Sequence, residues 1–339
     1  MADMAFRVIK IIDGRYKAML QPLVSFVVPV LNGEQHIERC LLSIMRQGCP
    51  GAEFEILVLD NGSIDQTPNI VKRVGLDCIV IPKLTVSALR NRGVEKARGA
   101  LIAFVDSDVE LNQGWLQEAR SVFTNLQIVA AGCMPAVPSD ATWVQKTWDL
   151  HQRVRPSKRN SETVQWLSSM NLMVRRDAFL SVAGFNESLK TSEDVDLSYR
   201  LSRIGRIVLC PGMEAIHWGE ARDVTTFWRK EVWRGLGSFK GVLSHGLRVD
   251  ELPSLGYPLY ILALFLVLAF GSVIDGYRGQ LFLAPLAASI LVLPAILLSL
   301  STARITKCPG AVIGLFVLYL VYGFARAVSL VKASRLSLS

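Results

Sequence analysis

The sequence predicts a protein in two parts, an α/β domain built on a mostly parallel sheet and a C-terminal group of membrane helices. From residue 24 onward, short apolar segments alternate with amphipathic segments, which is typical of parallel strands joined by helical crossovers. Residues 252–274, 279–303 and 308–325 carry no charged side chain. The first two exceed the roughly 20 residues that cross a bilayer, whereas the third is marginal.

Seven segments are predicted to be strands, because each is a short apolar run without a helical period. They are residues 24–31, 54–60, 78–81, 100–105, 128–133, 166–174 and 206–210. Amphipathic helices are predicted at residues 34–47, 86–98, 113–125 and 177–185 from their apolar spacing. Residues 1–23 are too charged for a secretory signal, so the six scattered cysteines are expected to be reduced thiols.

Three acidic residues follow predicted strands. Asp60 closes one strand, and Asp106 and Asp108 end another. The carboxyl ends of parallel strands share one edge of a sheet, where ligands bind in open α/β folds. Two close carboxylates repel each other unless protons or a cation neutralise them. Carboxylate oxygens are suitable ligands for Mg²⁺ or Mn²⁺, which would also bind substrate phosphates. A divalent site is therefore expected, with an ordinary polar turn as the alternative.

Two further segments allow more than one interpretation. Residues 135–164 have weak periodicity and a basic run at 151–159, which favours a binding loop or a mobile surface loop. Ser192 is predicted to begin a helix whose first turn holds Glu193, Asp194 and Asp196. Acids at that position stabilise a helix start, so they are either caps or part of a site.

Taken together, the sequence resembles the family 2 glycosyltransferases, which have the GT-A fold. The matching stretches are Val28-Pro-Val-Leu-Asn32-Gly-Glu34, Leu59-Asp60-Asn-Gly-Ser63-Ile-Asp65-Gln-Thr67, Ala88-Leu-Arg90-Asn91-Arg-Gly93, Phe104-Val-Asp106-Ser-Asp108, and Gly184-Phe185 followed by Glu193-Asp194. They occur in the family's order between residues 24 and 218. The fold class implied is a GT-A catalytic domain followed by transmembrane helices.

The resemblance implies which residues bind the donor. Pro29, Glu34 and Asp60 would line the nucleoside pocket, and Arg90 would face the base or the diphosphate. The implied donor is a nucleotide-diphosphate sugar, expected to be a UDP-sugar.

The resemblance also implies the metal and catalytic residues. Asp106 and Asp108 would hold Mg²⁺ or Mn²⁺, chiefly through Asp108, and His217 would touch the metal or diphosphate unless it is structural. Asp194, preceded by Glu193, would be the base that deprotonates the acceptor. A single base opposite the leaving group implies an inverting displacement.

One stretch departs from part of the family. Processive members carry Gln-x-x-Arg-Trp before their membrane helices, whereas here Arg229-Lys-Glu-Val-Trp233-Arg234 keeps the Trp and has Val232 in place of the Arg. This implies transfer of one sugar per encounter, and Arg234 is still expected to reach the diphosphate.

The junction between the two parts is cationic and aromatic. In residues 225–243, large apolar side chains recur at helical spacing among Arg and Lys, which predicts a helix in the headgroup region. The alternative is a helix packed on the catalytic domain. Cations before the first span place that domain on the cytoplasmic face of a multi-pass membrane protein.

These patterns predict three regions and their partners. Residues 1–222 form the catalytic domain, 223–250 the interfacial helix, and 251–332 two or three membrane helices, the third being spanning, re-entrant or interfacial. A lipid-linked or other membrane acceptor, which reacts through a hydroxyl or a phosphate, is expected to enter between the interfacial helix and the first span. The lipid bilayer is itself an expected partner, and no nucleic acid is expected.

Two other function classes remain open. A sugar nucleotidyltransferase would need a Gly-rich loop followed by Arg near the N-terminus, and residues 24–34 offer only Gly33. A catalytically inactive membrane scaffold would not need intact Asp60, Asp106, Asp108 and Asp194. A glycosyltransferase is therefore the favoured interpretation.

Overall fold

The computed structural model describes residues 8–12, 15–19, 24–48, 54–154, 163–189, 191–245, 252–279 and 282–336. The chain divides into two compact units, one within residues 1–136 and 158–219 and the other within 137–157 and 220–339. The predicted boundaries at residues 222 and 250 stay a prediction.

The first unit contains every described strand and six helices. Its strands are β1 (Val8–Ile12), β2 (Arg15–Met19), β3 (Val24–Val30), β4 (Phe54–Asp60), β5 (Cys78–Val80), β6 (Leu101–Val105), β7 (Val109–Leu111), β8 (Ile128–Gly132), β9 (Asn171–Arg175), β10 (Arg206–Leu209) and β11 (Ala215–His217). Its helices are α1 (Ile37–Met45), α2 (Thr67–Arg73), α3 (Val86–Lys96), α4 (Trp115–Val122), α6 (Arg176–Ser181) and α7 (Glu193–Leu201). The second unit contains α5 (Trp143–Val154), α8 (Val224–His245), α9 (Leu252–Arg278), α10 (Leu283–Thr306) and α11 (Val312–Leu336).

The central sheet has the strand order β10-β8-β9-β6-β3-β4-β5. Neighbouring strands are parallel except at β9, which runs antiparallel to β6 and β8. Strands β3 and β6 are buried throughout because apolar clusters cover both faces of the sheet. The mostly parallel α/β sheet is confirmed, and each of the seven predicted strands is present, β9 being shorter than predicted.

Pro29 lies where β3 can tolerate it. On one side β3 pairs with β6 only from Val24 to Val27, and on the other it pairs with β4 as far as Val30. Pro29 has no N–H to donate, so it fits beyond the last β6 pair. The proline therefore coincides with the point where β3 and β6 separate.

A short ribbon at the carboxyl edge of the sheet was not predicted. Strands β7 and β11 pair antiparallel, with Val109 opposite His217 and Leu111 opposite Ala215. Each strand has three residues, which is too short for a period to be visible in the sequence. The ribbon brings the segment after Asp108 beside His217.

The interpretation of residues 135–164 as irregular was wrong for residues 143–154, which form α5. The helix buries Gln145 and Thr147 together with Val144 and Trp148, so its buried face is half polar. This mixture explains why the apolar period was weak. The part of the predicted basic run at 155–159 lies outside the described residues.

Helix α5 packs against the apolar helices of its own unit. The Trp148 ring lies 4.7 Å from that of Phe227 and 5.6 Å from that of Tyr322. His151 Nδ1 is 2.9 Å from the Tyr319 hydroxyl, which is 2.8 Å from Thr302 Oγ1. Side chains from α5, α8, α10 and α11 thus form one partly polar core.

Three described helices are long and apolar enough to cross a membrane, within Gly256–Tyr277, Leu283–Thr306 and Pro309–Lys332. The third candidate has 24 residues and is longer than the charge-free run at 308–325, whose length is marginal for a span. The helix continues past Arg326, since the charged side chain finds a partner in α8.

That partner is Glu231, a buried carboxylate between two arginines. Its side chain is 2% exposed, and its oxygens lie 3.0 Å from Arg326 and 2.7 Å from Arg234. Gly235, one turn later, allows α8 to approach α11, because a Cβ there would clash with Ser329. The buried face of α8 carries Phe227, Glu231, Val232 and Gly235. The apolar period of residues 225–243 predicts a stripe of Trp228, Val232, Leu236, Phe239 and Leu243, of which Val232 is buried and the side chains of Phe239 and Leu243 lie outside the described part.

We expect Glu231→Gln to destabilise the second unit by about 3–5 kcal/mol, because two arginines lose their buried counter-ion. The measurement is thermal or denaturant unfolding of the full chain in detergent. Asp140→Asn is the control, since its pair with Arg222 is exposed at 3.6 Å, and such pairs contribute about 0–1 kcal/mol. Equal, small effects of both changes would contradict the buried-pair account.

Candidate active site

The acidic residues predicted from the sequence lie at the carboxyl edge of the sheet. Asp60 is the last residue of β4, Asp106 follows β6, and Asp108 precedes β7. Val30 pairs with Asp60 in the sheet register, so the loops after β3 and β4 start side by side. The matching stretches at residues 28–34, 59–67 and 104–108 therefore lie at the same edge of the sheet.

The loops after β3 and β4 are joined by reciprocal hydrogen bonds. Asn32 N–H donates to Ser63 Oγ at 2.8 Å, and Ile64 N–H donates to Asn32 Oδ1 at 3.0 Å. Glu34 N–H donates to Asp65 Oδ2, and Glu34 Oε2 accepts from Gln66 N–H. The Asn-Gly-Glu and Asp-x-x-Ser-x-Asp patterns thus form one polar surface.

Asp60 is buried, being 1% exposed, and its Oδ1 is held locally. It accepts hydrogen bonds from Ser63 N–H at 2.9 Å and from Ser63 Oγ at 2.6 Å. These bonds compensate the carboxylate for its burial. Asp60 is therefore positioned by Ser63, which the sequence pattern predicts only as part of a turn and helix cap.

Asp108 and His217 are brought together by the β7–β11 ribbon. His217 Nε2 lies 3.2 Å from Asp108 Oδ2, and Trp218 N–H donates to the Asp108 carbonyl at 2.9 Å. A Cβ on Gly219 would collide with the Asp108 carboxylate and approach His217 Nε2 to 3.1 Å. Only glycine at position 219 leaves this carboxylate and imidazole in place.

A second contact holds the ribbon from outside. Trp218 Nε1–H donates to Glu110 Oε2 at 2.9 Å, and the guanidinium of Arg39 lies 3.7 Å from the Trp218 ring centre. Arg39 also lies 3.6 Å from Glu110. Side chains from α1, β7 and the end of β11 therefore fix the turn that carries Asp108.

The side-chain atoms at this edge are suitable ligands for a hard divalent cation. Asp108 offers carboxylate oxygen, and His217, 7% exposed, offers an imidazole nitrogen that also suits Mn²⁺. Burial, followed by Asp108, Asp106 and Glu110, raises the pKa of the Cys40 thiol well above its usual value, as expected beside grouped negative charge. No group of three or more His, Cys, Asp or Glu arranged for a metal occurs in the described part of the chain, so phosphates and water would complete the coordination.

If Asp108 holds the cation and the donor is the nucleotide-diphosphate sugar that the resemblance implies, we expect Gly219→Ala to weaken Mn²⁺-dependent binding of this donor by about 10–100-fold, the usual cost of disturbing the support of a metal ligand. The added methyl group displaces Asp108 from His217. Isothermal titration calorimetry with and without Mn²⁺ measures the effect. Gly310→Ala is the control because a Cβ there meets no atom within 4 Å; equal affinities of the two variants would contradict this prediction.

Arg90 is buried in the first unit and contacts two carboxylates. It is 2% exposed, and its terminal nitrogens donate to Asp106 Oδ1 at 2.6 Å and to Glu193 Oε1 at 3.1 Å. Burial alone lowers the pKa of the guanidinium, but Asp106 and Glu193 raise it, and the net shift is upward. The structure thus brings Arg90, Asp106 and Glu193 together.

The Gly184-Phe185 pair connects the segment before α7 to Asn91 on α3. Gly184 has φ +67°, and a Cβ there would lie 2.8 Å from Asn91 Oδ1. Asn91 accepts from Phe185 N–H and donates to the Phe185 carbonyl, both at 2.9 Å. These bonds attach the segment before α7 to α3.

Asp194 lies in the first turn of α7 beside Glu193. Ser192 stands at the N-cap position with φ 65°, but its side chain makes no capping hydrogen bond. Asp194 Oδ1 accepts from Val195 N–H at 2.8 Å. Burial, followed by the charge of Glu193, raises the pKa of Asp194 to about 7, so this carboxyl can gain and lose a proton near neutral pH.

Arg234 belongs to the second unit. Its guanidinium lies 2.7 Å from Glu231 and 3.7 Å from Glu220. Its expected contact with a diphosphate stays a prediction.

Comparison with known proteins identifies related chains. The family model described as Glycosyl transferase family 2 matches residues 25–182. Glycosyltransferase AglE of Haloferax volcanii is 30% identical over 195 residues, which cover 54% of this chain and 62% of that protein. The chain therefore spans less than two thirds of AglE. Uncharacterized protein MT1568 of Mycobacterium tuberculosis is 30% identical over 226 residues, covering 61% of this chain and 70% of that protein.

Among solved structures, the mannosyltransferase PcManGT from Pyrobaculum calidifontis, in complex with GDP-Man and Mn²⁺, superposes with a TM-score of 0.61. The superposition covers 92% of this chain and 87% of that chain at 17% sequence identity. At this identity the likeness shows a shared fold.

Proposed function

We propose that the chain, whose residues 25–182 match the Glycosyl transferase family 2 model, transfers one sugar from a nucleotide-diphosphate sugar to a membrane-associated acceptor. The observation that carries the proposal is the sheet edge where Asp108 and His217 lie 3.2 Å apart. In the same unit, Asp194 has a pKa of about 7. A cation-binding pair and a titratable carboxyl are the two chemical elements that such a transfer needs.

The proposed reaction is a single displacement. The acceptor hydroxyl gives its proton to Asp194 as its oxygen bonds to the anomeric carbon of the sugar. The bond from that carbon to the diphosphate oxygen breaks, and its electron pair leaves with the nucleotide diphosphate. A positioned base contributes about 10²–10⁴-fold to such a step, and attack opposite the leaving group inverts the configuration.

Donor binding is assigned to the carboxyl edge of the sheet. Asp60, Glu34 and Pro29 would line the nucleoside pocket, with the loops at residues 32–34 and 61–67 holding one another in place. Asp108 and His217, with Asp106 beside them, would hold Mg²⁺ or Mn²⁺, which neutralises the charge of the leaving diphosphate. The Mn²⁺ in the complex of PcManGT agrees with this choice of cation.

A membrane acceptor is proposed from the second unit. Three described helices are apolar and long enough to cross a bilayer, and α8 before them carries Arg229, Lys230 and Arg234. Cations before a first span favour the cytoplasmic face, where the catalytic unit would meet nucleotide sugars. Protease treatment of inside-out and right-side-out vesicles tests this sidedness, and protection of the catalytic unit in inside-out vesicles contradicts it.

The test of function uses the purified full chain in detergent with Mn²⁺, a panel of labelled UDP- and GDP-sugars, and membrane lipid extract. We expect one donor to be consumed and its label to enter the lipid phase. Release of pyrophosphate from a nucleoside triphosphate and a sugar phosphate would instead identify a nucleotidyltransferase. No consumption of any donor would favour a scaffold.

A further inference from the structure

Arg90 connects two acidic motifs that lie far apart in the sequence. Asp106 is 16 residues away and Glu193 is 103 residues away, yet both accept a hydrogen bond from this one guanidinium. Asp106 follows β6 on the donor side, and Glu193 begins α7 immediately before the proposed base. One side chain therefore links the donor edge to the residue beside Asp194.

The contacts of Arg90 leave little surface for a donor. Its side chain is 3% exposed, whereas Asp106 is 29% and Glu193 is 13% exposed. The ring of Phe185 lies 5.4 Å from the guanidinium carbon and covers it further. A ligand entering this site thus reaches the carboxylates more readily than it reaches Arg90.

Helix α3, which carries Arg90, is held in place by hydrogen bonds at two points. Thr85 caps α3 by accepting from Ala88 N–H at 3.2 Å. Asn91, next to Arg90, makes two hydrogen bonds to the backbone of Phe185. Because α3 and the segment leading to α7 are joined in this way, the guanidinium is held between its two carboxylates.

We propose that Arg90 is a positioning residue that joins Asp106 to Glu193 and so holds the charge environment of the base Asp194, rather than a contact for the donor. This inference rests on the proposed function. Two charged groups act on the pKa of Asp194 in opposite directions: Glu193 on α7 raises it and Arg90 on α3 lowers it. Removing Arg90 leaves Glu193 uncompensated beside the base.

The experiment compares four variants with the wild-type chain: Arg90→Met, Arg90→Lys, Glu193→Gln and the double variant Arg90→Met/Glu193→Gln. The readouts are the pH profile of kcat/KM and the donor dissociation constant from calorimetry. Arg92→Met is the matched control, since Arg92 lies on the same helix in an exposed pair with Glu95. The base must be ionised to act, so the wild-type rate rises with pH through about 7.

We expect Arg90→Met to move this rise to higher pH and Glu193→Gln to move it to lower pH, each by about one unit. The double variant should return toward the wild-type profile, which a purely structural defect would not do. Arg90→Lys should restore the wild-type pH profile only partly, because one ammonium cannot reproduce the simultaneous hydrogen bonds of the guanidinium to Asp106 and Glu193. Arg92→Met should leave the profile unchanged.

A donor contact predicts the opposite pattern. An Arg90→Met variant whose donor affinity falls about tenfold or more with an unmoved pH profile would overturn the proposal. If Arg90→Met does not fold, Glu193→Gln decides alone, since an unmoved profile in that variant also overturns it. Absence of turnover in the wild-type chain would instead be a failure of the proposed function.

Discussion

Asp108→Ala is expected to abolish Mn²⁺-dependent binding of the sugar nucleotide, weakening affinity by at least about 100-fold. Asp108 supplies the carboxylate of the Asp108–His217 pair, whose two side chains lie 3.2 Å apart at the end of the β7–β11 ribbon. Without it, His217 and Asp106 remain, but Asp106 already accepts a hydrogen bond from Arg90, so the site loses the carboxylate that a hard cation requires. Calorimetry with Mn²⁺ and with a chelator should give the same weak affinity for this variant.

The control for this change is Asp77→Ala, which removes an exposed acid just before β5. It should keep the affinity of the wild-type chain and its dependence on Mn²⁺. Circular dichroism should show both variants folded, because Asp108 is 32% exposed and lies outside the central sheet. Unchanged Mn²⁺-dependent affinity in Asp108→Ala would remove Asp108 from the metal site.

Asp194→Asn is expected to lower turnover by at least about 10²-fold with donor affinity almost unchanged. The amide keeps the size of the side chain and can accept the hydrogen bond from Val195 N–H, but it cannot take a proton from the acceptor. Steady-state kinetics with the donor identified by screening measures the loss. The Mn²⁺-dependent dissociation constant provides the comparison with Asp108→Ala.

A capping role for Asp194 makes a different prediction. Asn keeps the hydrogen bond that the side chain accepts from Val195 N–H, whereas Ala removes it at a cost of about 0.5–1.5 kcal/mol. If Asp194→Asn remains active while Asp194→Ala is destabilised, the carboxyl serves the helix and another group is the base. Asp177→Asn, at the start of α6, is the control for a first-turn acid outside the site.

Much of the first unit could be predicted because its strands and helices follow local sequence patterns. Buried parallel strands appear as apolar runs, so β3, β4 and β6 and the acids that end them were evident from the sequence. The parallel register then places Asp60 and Asp106 at one edge. Spans of more than 20 apolar residues were equally evident for α9 and α10.

The parts that escaped prediction depend on contacts between distant residues. The pair formed by Arg90 and Glu193 joins positions 103 apart, and that of Asp108 and His217 joins positions 109 apart. The resemblance assigned Asp108 and His217 to one metal, but the contact between them could not be derived from local patterns. Neither pair leaves a local period or composition signal. The role of Gly219 could not be predicted for the same reason, because this glycine leaves space for the Asp108 carboxylate from a distant part of the sequence.

Helix α5 shows a second kind of failure. Its buried face mixes Gln145 and Thr147 with Val144 and Trp148, and such a face gives a weak apolar period. Gln145 is satisfied because it donates to the Glu220 carbonyl and accepts from Thr142 N–H. Polar residues that find partners inside a core therefore hid a helix that the sequence suggested was a loop.

The stereochemistry of the product tests the central claim most directly. The full chain is incubated with Mn²⁺, lipid extract and the ¹³C-labelled form of the donor found by screening, and the anomeric configuration of the purified glycolipid is read from its one-bond carbon–proton coupling. Direct attack on the donor, with Asp194 as base, predicts a product of opposite configuration to the donor, formed at least about 10²-fold more slowly by Asp194→Asn. A product that retains the donor's configuration, or equal product from both chains, would contradict the account.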